Sequence, residues 1–112
     1  MKIAFTTKGK NWDSMMDARF GRTEYILIYD SEKDKLEWID NTDVANNAHG
    51  AGTKTAERLF KLKPEVLITG NGPGEQAAGI LKQLNMKIFI GAKNMNVKNA
   101  YQAYKDNKLP IF

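Results

Sequence analysis

A chain of 112 residues, 42% hydrophobic and 27% charged, has the composition of one globular domain able to bury a core without disulfides or a structural metal. The absence of cysteine excludes a disulfide frame, thiolate-ligated zinc, an all-cysteine iron–sulfur cluster and a cysteine nucleophile together. The formal charge of +4 comes from lysines spread along the whole chain, the pattern of a solvated surface rather than of a nucleic-acid stripe.

In chain order, Met1-Lys2-Ile3-Ala4-Phe5 is too short an apolar run for a signal peptide. No stretch approaches the roughly 20 apolar residues of a membrane span, so the expected location is the cytoplasm. Ile3 to Thr6 reads as a buried strand, followed by a polar segment, Thr7 to Thr23, too long for a turn. Two β-branched and aromatic runs, Glu24 to Asp30 and Lys35 to Asp40, flank the charged turn Ser31-Glu32-Lys33-Asp34 and predict a hairpin. After the polar loop Asn41 to Gly50, the residues Ala56, Leu59, Phe60 and Leu62 mark a helical face that Pro64 ends. Glu65 to Thr69 is a compact apolar strand running into Gly70-Asn71-Gly72-Pro73-Gly74, and Ala77, Ile80, Leu81 and Leu84 then follow a helical period. Met86 to Ile90 is the next strand, closed by Gly91, and Val97, Ala100, Tyr101 and Tyr104 mark a last helix.

The predicted order is β-β-β-α-β-α-β-α in a single domain over residues 1–112. Right-handed crossovers are satisfied by a mixed five-stranded sheet of order 3-2-1-4-5 with strand 2 antiparallel, a three-layer α/β/α arrangement of the ribonuclease H-like type. Its switch point lies between strands 1 and 4, where ligands gather beyond the carboxyl ends of the strands. Three segments should converge there: the loop after strand 1, Asn46 to Gly52, and Gly70 to Gly74.

Each segment carries candidate chemistry beside a structural alternative. The amides of Gly70, Asn71, Gly72 and Gly74 at a helix start suit an anion, yet the loop lacks the ending of a P-loop and the spacing of a dinucleotide fingerprint. It reads equally as a tight turn in which Pro73 starts the helix. His49 is the sole histidine, and Gly50 and Gly52 beside it permit close approach of a bulky ligand; the alternative is a surface or capping residue. In Asp13 to Arg22, adjacent methionines offer soft sulfur, and Arg19 and Arg22 offer planar forks for anionic oxygens. Alternatively Phe20 anchors the loop and an arginine pairs with Asp13 or Asp17. Two-metal nuclease chemistry needs converging carboxylates, but strand 1 holds no acid and only Glu57 lies on the first helix. With no G-x-S-x-G, paired nucleophile or carboxylate dyad, the reading is not an enzyme.

Met1-Lys2-Ile3-Ala4, Asp17-Ala18-Arg19-Phe20-Gly21-Arg22, His49-Gly50-Ala51-Gly52 and Thr69-Gly70-Asn71-Gly72-Pro73-Gly74, in this order along essentially the whole chain, resemble the dinitrogenase iron-molybdenum cofactor biosynthesis domain family (NifX and the NifB C-terminal domain). The resemblance implies a ribonuclease H-like fold and a non-enzymatic role, related to nitrogen fixation, in binding or carrying iron–sulfur or iron-molybdenum cofactor precursors between assembly proteins. By position it makes His49 the metal contact, Arg19 and Arg22 the electrostatic partners of an anionic cluster, and Gly70 to Gly74 the close-approach loop. The lack of cysteine departs from members with a thiol near the ligand and implies weak or transient binding through arginine and backbone amides. Read without the resemblance, the same cleft suits a small-anion or nucleotide-binding, or protein-interaction, module. No membrane or nucleic-acid partner is expected.

Overall fold

The computed structural model describes residues 1–47 and 49–112; Ala48, inside the Asn46–Gly52 segment, lies outside the described residues. Strand β1 (Lys2–Thr7) is buried from Ile3 through Thr7, as a central strand covered on both faces must be. β2 (Tyr25–Asp30) runs antiparallel to β1, and β3 (Lys35–Asp40) antiparallel to β2. The hairpin turn closes because the Asp30 carboxylate accepts the amides of Glu32 and Lys33 and Asp34 takes a left-handed φ of 50°. β4 (Val66–Ile68) and β5 (Lys87–Phe89) extend the sheet in parallel on the other side of β1, giving the order β3-β2-β1-β4-β5. Only β2 opposes the direction of β1, as the crossover argument requires.

The side-chain alternation of the strands sets the layers. On one face Ala4, Ile26, Ile28, Leu67 and Ile88 meet Ala56 and Leu59 of one helix and Ala77 and Leu81 of another. On the opposite face Ile3, Phe5, Leu27, Val66 and Ile68 meet Val97 and Ala100 of a third. Numbered along the chain, the helices are α1 (Thr42–Ala45), α2 (Ala51–Leu62), α3 (Glu75–Lys82) and α4 (Val97–Lys105). α2 and α3 cover one face and α4 the other.

Three features differ from the sequence expectation. The Asn41–Gly50 loop contains the short helix α1, whose four residues, with Val44 alone buried, are too few to show a helical period. α3 begins at Glu75 with Gly74 as its N-cap, so Pro73 precedes the helix instead of starting it. The tail also pairs with β5: Ile90 N–H donates to Pro110 O, Phe112 N–H donates to Ile88 O, and Phe89 bridges Ile111 antiparallel.

Candidate functional site

The carboxyl ends of β1 and β4 meet at Thr6 and Thr69, both fully buried, whose hydroxyls lie 2.8 Å apart. The crevice expected between these strands is filled by the chain itself. Asp17 N–H donates to Thr6 O, the Thr6 hydroxyl donates to Asp17 O, and Asn71 N–H donates to Ala18 O at 2.8 Å. Gly70 is needed here for space: a methyl group on it would lie 2.5 Å from the Ala18 Cα. The three segments converge as expected, but Asp17 and Ala18 plug the point where the strand order reverses.

The first loop then crosses α2. A methyl group on Gly21 would lie 2.7 Å from the N and Cα of Gly52, and the Thr55 hydroxyl donates to Gly21 O while accepting from Asn41 Nδ2. Arg22 Nη1 donates to the carbonyls of Ala45 and Asn47, both at 2.9 Å, so Arg22 holds the stretch that leads to His49. Arg58 fastens the same stretch from the other side through a paired contact with Asp43 and a 2.8 Å bond to Asn41 Oδ1. The hydrogen bonding from Arg58 lowers the Asp43 carboxyl to about 2. His49 itself is exposed, in the bend before Gly50.

Arg19 does not reach out alone. Its Nε and Nη2 donate to Asp17, a carboxylate 1% exposed, which also accepts the Arg19 amide. The side-chain hydrogen bond and charge of Asp17 hold the guanidinium proton more firmly than usual. The guanidinium remains more than half exposed. Phe20 is buried in the core on the α2–α3 face, as the structural alternative had it, and Met16 on the α4 face; Met15 is 45% exposed.

What stays open lies just outside the plug. The N-cap of α2 is Gly50, in the left-handed region at φ 75°, and that of α3 is Gly74; neither supplies a side-chain cap. Among the described residues nothing comes within 4 Å of where a methyl group on Gly50 or Gly74 would sit. The two helix starts open side by side into a depression of about 350 Å³ lined by Gly50 to Thr53 and Gly74 to Ala77. First-turn amides without partners among the described residues, at the starts of two neighbouring helices, make such a place attractive to an anion. Glu75 is the one acid in the lining and opposes that attraction.

The structure therefore divides the sequence candidates. Gly50, Gly52 and Gly74 line the depression and His49 adjoins it. Gly70 and Asn71 are tied to Ala18, and Gly72 packs under the Phe112 ring, whose Cε1 would be 2.2 Å from a methyl group there. Sequence reasoning missed the threonine pair and Phe112, because each acts only through residues remote in the chain. Among the described residues no three His, Asp or Glu side chains gather as a metal site, and no helix is long and apolar enough to cross a membrane.

A family model described as dinitrogenase iron-molybdenum cofactor matches residues 1–107. The apo form of the orange protein from Desulfovibrio gigas shares 31% identity with this chain at a TM-score of 0.91, covering 99% of this chain and 92% of its own. A NifB-like protein from Thermotoga, assigned to the DUF35 family, shares 32% identity at a TM-score of 0.83, covering 98% and 91%. No curated relative matches the chain.

Proposed function

The chain belongs to the dinitrogenase iron-molybdenum cofactor family, and from that premise we propose that it is a non-enzymatic cytoplasmic protein that binds or carries an anionic metallocluster, an iron–sulfur or iron-molybdenum cofactor precursor. The observation that carries this reading is the pair of uncapped helix starts at Gly50 and Gly74 opening into one depression. Their amides supply donors to bridging sulfides or other anionic edges of the cargo. His49 supplies one imidazole for a metal at its rim. Arg22 sets the approach of the His49 loop, and Arg19, anchored on Asp17, brings exposed positive charge to the neighbouring loop. Gly70, Asn71 and Gly72 act as scaffold. With no thiolate, the cargo is held weakly enough to pass on, which suits a carrier between cluster-assembly proteins.

The test is an anaerobic titration with a synthetic iron–sulfur cluster, read by visible absorbance. The expected result is a saturable spectral change that His49→Ala weakens by about tenfold, one ligand's worth of affinity. Gly74→Asp should abolish binding while leaving the fold intact, because an N-cap carboxylate satisfies the α3 amides and repels the anion. Failure of the wild type to bind, or binding unchanged in both variants, overturns the reading.

A further inference from the structure

The α4 side of the sheet carries a second concavity that the cluster reading does not use. Between the loop after β1, strand β2 and α4 lies a cleft of about 400 Å³, lined by Trp12, Asp13, Tyr29, Lys98, Tyr101 and Lys105 among others. Its floor is aromatic. Trp12 meets Tyr29 edge-on at 4.9 Å and lies 5.8 Å from Tyr101, and Tyr29 and Tyr101 are 5.4 Å apart. All three rings are half-buried, so part of each is in contact with solvent. Two of the three residues are also tied down: Tyr29 Oη donates to Asp34 at 2.7 Å, and Lys98 N–H donates to Trp12 O, tying the loop to the helix.

The rim is cationic. Lys98 and Lys105 stand seven residues apart on α4, about 10 Å along one side of the helix. Lys105 Nζ sits 4.6 Å from the Tyr101 ring centroid. Among the described residues neither lysine has a carboxylate within ion-pair distance. Asp13 adds a single acceptor. Rigid aromatic surface, two cations without acid partners and one acceptor match a planar aromatic anion. An acidic peptide would use the lysines without needing the floor; an apolar segment would use the floor and leave the ammonium groups without anions.

We propose that this cleft binds a nucleoside phosphate, its base against Trp12, Tyr29 and Tyr101 and its phosphate on Lys98 and Lys105. Asp13 accepts from an exocyclic amine of the base. The volume falls within the range of single small-molecule sites. The site lies on the sheet face opposite α2 and α3, so it stands or falls independently of cluster binding.

Trp12 reports on the cleft directly once the other tryptophan is removed by Trp38→Phe. In that background AMP should quench the Trp12 fluorescence saturably, while inorganic phosphate should leave it unchanged. Replacing both lysines, Lys98→Ala with Lys105→Ala, should weaken the AMP response by about tenfold with the circular dichroism spectrum unaltered. An oligoadenylate strand tests the source: tighter quenching by the strand assigns the site to strand ends, and equal or weaker quenching assigns it to free nucleotide. No quenching by AMP or the strand at concentrations on the order of 5 mM, or quenching indifferent to the lysine replacements, overturns the proposal. Quenching by an acidic peptide but not by AMP overturns it as well.

Discussion

Gly70 and Gly74 belong to one five-residue loop and answer to opposite physical demands. At Gly70 the backbone of Ala18 occupies the place a side chain would take, 2.5 Å from an added methyl group. At Gly74 that place is empty and the amides of α3 begin. Gly21 resembles Gly70, pressed against Gly52, and Gly50 resembles Gly74, open and leading into α2. Gly72 lies between the two kinds, covered by the aromatic ring of Phe112, which is 47% exposed. One glycine-rich motif thus combines positions where the missing side chain makes room for the chain itself with positions where it leaves backbone donors bare. Only the second kind is available to a ligand.

The sharpest way to break this division is Gly70→Ala. Both atoms in conflict are held by the chain, Ala18 Cα by the strand-end hydrogen bonds around it, so relief requires the plug to move. The expected cost is about 3 kcal/mol in urea denaturation, the upper range for overpacking a fixed site. A cost near zero would show that the plug yields easily and that the switch point can open. Gly72→Ala should cost less, about 1 kcal/mol, because the obstructing ring can swing into solvent. If Phe112 is the whole obstacle, the same substitution made in Phe112→Ala should be neutral or slightly stabilising, through reduced freedom of the unfolded chain. A double-mutant cycle reads that coupling directly, and additive costs would mean that something other than Phe112 crowds Gly72.

Much of the fold was legible because its strands are apolar runs with turn chemistry between them. Lys35–Asp40 matches its expected limits, and the order 3-2-1-4-5 follows from crossover handedness. What escaped was what depends on tertiary partners. α1 is a single four-residue turn held by Arg58 and Arg22, and neither arginine's target can be read locally. The tail from Pro110 to Phe112 has one bridge and one backbone bond to β5 and one more to Ile90 just beyond it, too little pattern for a strand. The site was legible as a set of segments but not as a geometry. Topology located the convergence correctly, while the plug by Asp17 and Ala18 moved the open space outward to the starts of α2 and α3. Arg19 shows why: its pairing with Asp17, two residues away, was foreseeable, but the full burial of that carboxylate was not.

The open and packed regions also differ in what fastens them, and pH separates the two. The stretch leading to Gly50 is held by Arg58 on the exposed Asp43 carboxylate, which that hydrogen bond lowers to about 2, whereas the Gly70 region is held by backbone bonds such as Asn71 N–H to Ala18 O. A carboxylate whose folded pKa lies below its ordinary value of about 3.9 contributes stability that is complete above that value and fades as pH falls toward the folded one. Asp43→Asn should therefore be slightly less stable than wild type near neutral pH, with the difference shrinking between about pH 4 and pH 2 and vanishing below. The effect is small, since both charges face solvent. Hydrogen exchange locates it: on acidification the amides of Val44 to Asn47 should lose protection before the amide of Asn71. Simultaneous loss at both places would mean that the two regions open as one unit and that the division between packed and open glycines does not extend to their dynamics.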